Sequence, residues 1–210
     1  MAIRILVVGD SKVGKTALTV RLLTRRYIGE YSSSTDSMYK CTIEVDNVST
    51  RVEVLDTINR PGQPPDVDEN QVMWAGAHVV VYSVLSRESF LRAASLASAI
   101  NALKTSSTPL LLLGNKVDLD PGREVGVQEG RQMSRELGCI HDEVSAAEDL
   151  AGTLQAFHTL IKEVQLAQPS RLSSRKRNKN PLDNVSKKLG AIFGKKETNV
   201  SNNNEATGMS

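Results

Sequence analysis

The chain has 210 residues, 40% of them hydrophobic, and a formal net charge of +2; that is the size and balance of one soluble domain with a full core and some chain to spare. No stretch approaches the roughly 18 apolar residues of a membrane span, and the N-terminus lacks a signal-peptide pattern. The two cysteines, Cys41 and Cys139, have no metal-ligand spacing; they exclude a disulfide framework, read as buried or inert thiols, and predict an intracellular, cytoplasmic protein.

Charge is unevenly spread. Residues 1–168 carry 17 Lys and Arg against 21 Asp and Glu, whereas residues 169–210 carry 9 against 3. A mildly acidic body followed from Pro169 by a basic tail divides the chain into 1–168 and 169–210.

Residues 3–8 are a short apolar, β-branched run that predicts a buried strand, and 17–23 carry apolar residues at helical spacing. Between them, Gly9-Asp10-Ser11-Lys12-Val13-Gly14-Lys15-Thr16 fits G-x-x-x-x-G-K-[ST]. A glycine-rich turn in that place lets backbone N–H groups surround phosphate oxygens, with the positive end of a helix dipole behind them. Lys15 then reaches the β- and γ-phosphates of a nucleotide, and the Thr16 hydroxyl holds Mg²⁺.

Extended runs at 39–45 and 51–55 flank Asp46-Asn47 and predict a β-hairpin. Residues 57–71, rich in Pro, Asp, Asn and Gly, predict loop, with a short helix at 71–75. An apolar strand is expected over 78–84. Ser86 caps a helix to about Lys104 whose apolar side is Phe90, Leu91, Ala94, Ala97 and Ile100. A buried strand over 109–114, a helix over 127–137 stopped by Gly138, a strand over 140–144 and an amphipathic helix over 151–166 complete the body. Strands alternating with helices predict an α/β fold. It is a doubly wound, mostly parallel, six-stranded sheet flanked by about five helices, with ligands at the carboxyl ends of the strands.

Directly after the strand at 109–114 stands Asn115-Lys116-Val117-Asp118. The Asp118 carboxylate can accept from two nitrogen donors on one edge of guanine while the stem of Lys116 lies along the base. Adenine would leave those oxygens poorly paired, a costly mismatch in a buried site. Ser145-Ala146-Ala147, after the last strand, offers backbone N–H groups to the base oxygen.

The ordered set of P-loop, N-K-x-D and S-A-x resembles the Ras-like small GTPases over about residues 1–167. Ala17-Leu18-Thr19-Val20, Trp74-Ala75-Gly76-Ala77, the strand from Val79 to Val84 and the basic tail look most like one branch. It is the Ras-related branch with the estrogen-regulated growth inhibitor and the Ras-like family members without lipid signals. The resemblance implies a guanine-nucleotide switch with GTP or GDP and Mg²⁺ as ligands. It sets Tyr27 against the guanine face and Asp56 at the aspartate that meets Mg²⁺ through water.

The chain departs from that pattern in both switches. The family's metal-binding threonine falls on Ser34, with Thr35 beside it, so either hydroxyl is a candidate ligand. The effector segment 35–39 keeps Asp36 but is otherwise altered; effectors and regulators are left unidentified. The family's D-x-x-G-Q becomes Asp56-Thr57-Ile58-Asn59-Arg60, and a Gly62-Gln63 pair follows three residues late, among Pro61, Pro64 and Pro65. Those prolines stiffen the loop against returning Gln63 to the water-orienting place. Ser11 and Lys12 stand where Ras has glycine, crowding an incoming arginine finger. Lys15 and Gln63 are the catalytic candidates, and a slow GTPase is the expectation. The alternative is a GTP-binding scaffold with negligible turnover; a P-loop kinase or ATPase is opposed by the N-K-x-D.

In the tail, Arg171, Arg175, Lys176, Arg177 and Lys179 lie close together, 182–196 can form a short amphipathic helix, and the last residues read as disordered. Ala2 and the lack of a cysteine near the end predict neither myristoylation nor prenylation. Reversible contact with an anionic membrane, nuclear import through Arg175-Lys176-Arg177, or plain solvation remain for the tail. A monomer without nucleic-acid partner is expected.

Overall fold

The computed structural model describes residues 2–27, 35–58 and 66–167; the tail readings, and with them Ser34 and Gln63, lie outside these. Among the described residues six strands form one sheet: β1 (Ile3–Gly9), β2 (Ser37–Val45), β3 (Val48–Asp56), β4 (Ala77–Ser83), β5 (Leu110–Asn115) and β6 (Ile140–Val144). Their order is β2-β3-β1-β4-β5-β6, and all pairs are parallel except β2 with β3. The predicted α/β sheet is thus the observed one. Five α-helices of the described residues flank it: α1 (Lys15–Thr24), α2 (Glu69–Trp74), α3 (Arg87–Leu103), α4 (Val127–Leu137) and α5 (Leu150–Ala167).

Central strands β4 and β5 are buried along their whole length, as expected of parallel strands covered on both faces. One core gathers Ile5, Val7, Val79 and Leu111 under Leu18 of α1 and Phe157 and Ile161 of α5. The other gathers Leu6, Val80 and Leu112 under Val72 of α2 and Phe90, Leu96 and Ile100 of α3. Both cysteines are half-buried, Cys41 against the first core and Cys139 against the second. Burial raises both thiols, Cys139 to about 11, so both are unreactive near neutrality.

Local chemistry sets the element ends. The β2–β3 turn is Asp46-Asn47, both at positive φ (49° and 62°), the two-residue hairpin that matches strand twist. Both hairpin strands run farther than the sequence pattern predicts, because Ser37 and Met38 pair with Asp56 and Leu55. The helix expected at 71–75 begins at Glu69, since the Asp68 carboxylate accepts the Asn70 and Gln71 N–H groups at 2.8 and 3.2 Å. Ser86 caps α3 as predicted. The buried face of α3, however, is Ser89, Phe90, Ala93, Leu96, Ala97 and Ile100. Leu91 is 56% exposed and Ala94 only partly covered, so the predicted stripe was rotated toward solvent.

Candidate nucleotide site

The P-loop motif leaves the end of β1 and enters α1. A Cβ on Gly9 would collide with the Val81 carbonyl on β4, and one on Gly14 (φ 100°) with the Asn115 amide, so both places require glycine. No side chain caps the start of α1 and no acid stands in its first turn, which leaves its N-terminal N–H groups for an anion. Lys15 is buried and donates to the carbonyls of Gly9 at 3.0 Å and Asp10 at 2.9 Å. Burial lowers its pKa, against the opposing pull of Asp56, Asp10 and Asp36. Asp10 accepts the Ser11 N–H at 2.7 Å and faces Arg92 of α3 at 3.5 Å.

The Thr16 hydroxyl donates to Asp56 Oδ2 at 2.6 Å. Asp56 is 1% exposed, and its Oδ1 has no hydrogen-bond partner among the described residues. Burial raises this carboxyl's pKa, opposed by the Thr16 hydrogen bond and Lys15. A hydroxyl beside a buried carboxylate with one oxygen unspent is a hard-donor pair suited to Mg²⁺, which takes few protein ligands and completes its shell with water and phosphate. Among the described residues no cluster of three or more His, Cys, Asp or Glu forms an all-protein cage. The next residues are anchored too. Thr57 sends both its N–H and its hydroxyl to the Val7 carbonyl. The Ile58 N–H reaches Asp36 Oδ1 at 2.9 Å, and Gln71 of α2 reaches the other oxygen at 2.8 Å. Thr35, just before Asp36, is exposed.

At the far end, Asn115 is 2% exposed and binds two loops: its amide donates to the Val13 carbonyl at 2.8 Å, and its oxygen accepts the Ala146 N–H at 3.0 Å. Arg123, after the short 3-10 turn Val117–Gly122, pairs with Asp120 at 2.7 Å and with Glu143 of β6 at 2.9 Å. Arg123 thus ties the loop after β5 to strand β6. Ser145 is buried and its hydroxyl accepts the Glu148 N–H.

These pieces enclose one cleft of about 680 Å³, within the range of small-molecule sites. Of the residues singled out in the sequence, Ser11, Lys12, Gly14, Lys15, Thr16, Tyr27, Asn115, Lys116, Asp118, Ala146 and Ala147 line it. Gly9, Asp10, Val13, Val117 and Ser145 shape the loops without lining the cleft, and Asp56 stands behind Thr16. Ala17, Thr57, Ile58 and Leu119 also line it. No sequence signal marks them as site residues, because each is an ordinary residue near a motif position.

Fold and cleft together define a P-loop nucleotide-binding protein. The Ras family model matches residues 4–166, and the chain belongs to the Ras family. It is 38% identical over 173 residues to "Ras-like protein family member 11B" of Danio rerio, covering 80% of this chain and 71% of that one. It is 33% identical over 165 residues to human "Ras-related and estrogen-regulated growth inhibitor", covering 78% and 81% of the two chains. A third relative is human "Ras-like protein family member 12", 36% identical over 168 residues, 79% of this chain and 62% of that protein. Membership carries guanine-nucleotide binding and a small-GTPase signalling role; the sub-branch expected from the sequence is the one these relatives occupy.

Proposed function

We propose that the chain is a slow switch that binds Mg²⁺–GTP, hydrolyses it weakly and holds the GDP that results. The observation that carries this reading is the single cleft shared by Lys15 and Asp118. Lys15 and the free N–H groups at the start of α1 grip the phosphates, Asp118 accepts from the guanine edge, and Tyr27 covers the base. Thr16 holds the metal, with Asp56 behind it through water and Ser34 or Thr35 adding a hydroxyl when the terminal phosphate is present. Bound Mg²⁺ would supply charge neutralisation between the β- and γ-phosphates.

Weak hydrolysis follows from what stands after Ile58. Asn59 and Arg60 occupy the places of the family's Gly and Gln, and Gln63 comes three residues late between prolines. Without a glutamine to orient water, hydrolysis loses its positioning group. Single-turnover hydrolysis should fall below the ~3–5 × 10⁻⁴ s⁻¹ of intrinsic Ras and respond poorly to Ras activating proteins. A Ras-like rate, strongly accelerated by such an activator, would refute slow turnover.

The same altered segment favours a second reading, a scaffold that keeps GTP without turnover. The nucleotide that co-purifies separates the two: mostly GDP supports the switch, mostly GTP the scaffold. In either case the body ends near 168. The basic tail of 169–210 leaves a monomeric, cytoplasmic protein able to touch anionic membrane reversibly. Vesicle flotation with and without anionic lipid tests that contact, and equal recovery in both contradicts it.

A further inference from the structure

We propose that Lys12 is a further phosphate-binding residue, a second ammonium that the loop itself brings to the nucleotide's polyphosphate. This rests on the guanine-nucleotide reading above. Lys12 lines the cleft beside Ser11, Lys15 and Thr16. Its backbone sits at φ 62°, a left-handed conformation that glycine adopts freely and a lysine does not. Retained backbone strain of this kind collects at ligand sites.

Lys12 also has no ion-pair partner among the described residues. Among the described residues the ion-paired cations are Arg4, Lys40, Arg87, Arg92, Arg123 and Lys162. The carboxylate nearest in sequence, Asp10, is occupied by the Ser11 N–H and Arg92. Lys15, in contrast, has two loop carbonyls as partners and braces the loop's curve. A compact point charge with no carboxylate partner among the described residues, held in the cleft beside Lys15 and Thr16, suits a polyanion. The side chain that crowds an incoming arginine therefore brings a cation of its own, and its effect is retention of nucleotide.

The test is release of mant-GDP and of mant-GppNHp from the full chain, chased with unlabelled nucleotide at low and high salt. Wild type, Lys12→Gln and Lys12→Arg are compared. Lys12 is exposed, so neither substitution disturbs the core. Lys12→Gln should release nucleotide about fivefold faster or more, with the larger change for the triphosphate analogue and a weaker response to salt than wild type. Lys12→Arg should stay within about twofold of wild type. Release from Lys12→Gln within about twofold of wild type, or equal acceleration in Lys12→Arg, would overturn the proposal. A wild-type chain that holds no mant-guanine nucleotide would overturn the underlying reading as well.

Discussion

Asn115 donates its side-chain amide to the Val13 carbonyl at 2.8 Å, joining loops 102 positions apart in the chain. Its oxygen takes the Ala146 N–H, so a single buried side chain ties the phosphate loop to the loops after β5 and β6. Asn115→Ala would leave a carbonyl and an N–H unmet in a buried place, at a cost of about 1–3 kcal/mol. The melting temperature should drop by about 3–10 °C, and guanine nucleotide should be released about tenfold faster or more. Circular-dichroism melts and mant-nucleotide release check this; unchanged release would show that the tie does not reach the ligand.

Asp56 trades stability for binding. Burial raises its pKa, and Lys15 and the Thr16 hydroxyl offset only part of that cost, so ionising this carboxyl burdens the folded chain and a bound cation would relieve it. Asp56→Asn keeps an oxygen for the Thr16 hydroxyl and removes the charge. The nucleotide-free variant should melt higher than wild type. Its need for Mg²⁺ to retain nucleotide should rise about 10- to 100-fold, read as the Mg²⁺ concentration that halves the release rate. A lower melting point together with unchanged Mg²⁺ dependence would contradict both halves.

Acid should weaken the fold through two histidines. His78 is fully buried, its Nε2 on the Val72 carbonyl at 3.2 Å and its Nδ1 without a partner. His141 shares its Nε2 with the Tyr82 hydroxyl at 3.1 Å. Burial lowers both imidazoles from the ordinary 6.5. The unfolded chain therefore takes protons near that value that the native rings refuse. The contribution of these two rings is level above about pH 7.5 and falls as pH drops below the ordinary 6.5. Urea melts across this range should show a falling midpoint, and a midpoint that rises on acidification would contradict the buried neutral rings.

Sequence legibility followed the local signals. α4 and β6 begin and end as expected, because Gly138 takes the left-handed turn (φ 63°) that a helix stop signal implies. The α3 face differs from expectation at Leu91 and Ala94 since a helix rich in Ala and Leu supports neighbouring registers equally well, and only the sheet decides that Ala93 and Leu96 are buried. The P-loop and N-K-x-D positions that line the cleft were legible because each motif has a fixed spacing at the end of an apolar strand. The links among loops were not: Arg92 with Asp10, Arg123 with Glu143 and Asp36 with Gln71 join elements whose adjacency exists only once the sheet order is set. Asn115 combines both cases, a motif residue whose side chain turns out to be engaged with other loops.

Base selection by Asp118 is the most direct point of attack. Displacement of mant-GDP by GDP and by ADP, in wild type and in Asp118→Ala, reads it in one assay. In wild type GDP should outcompete ADP by about 10³-fold or more, and Asp118→Ala should erase most of that preference. Equal competition by ADP in the wild-type chain would contradict guanine recognition by this cleft.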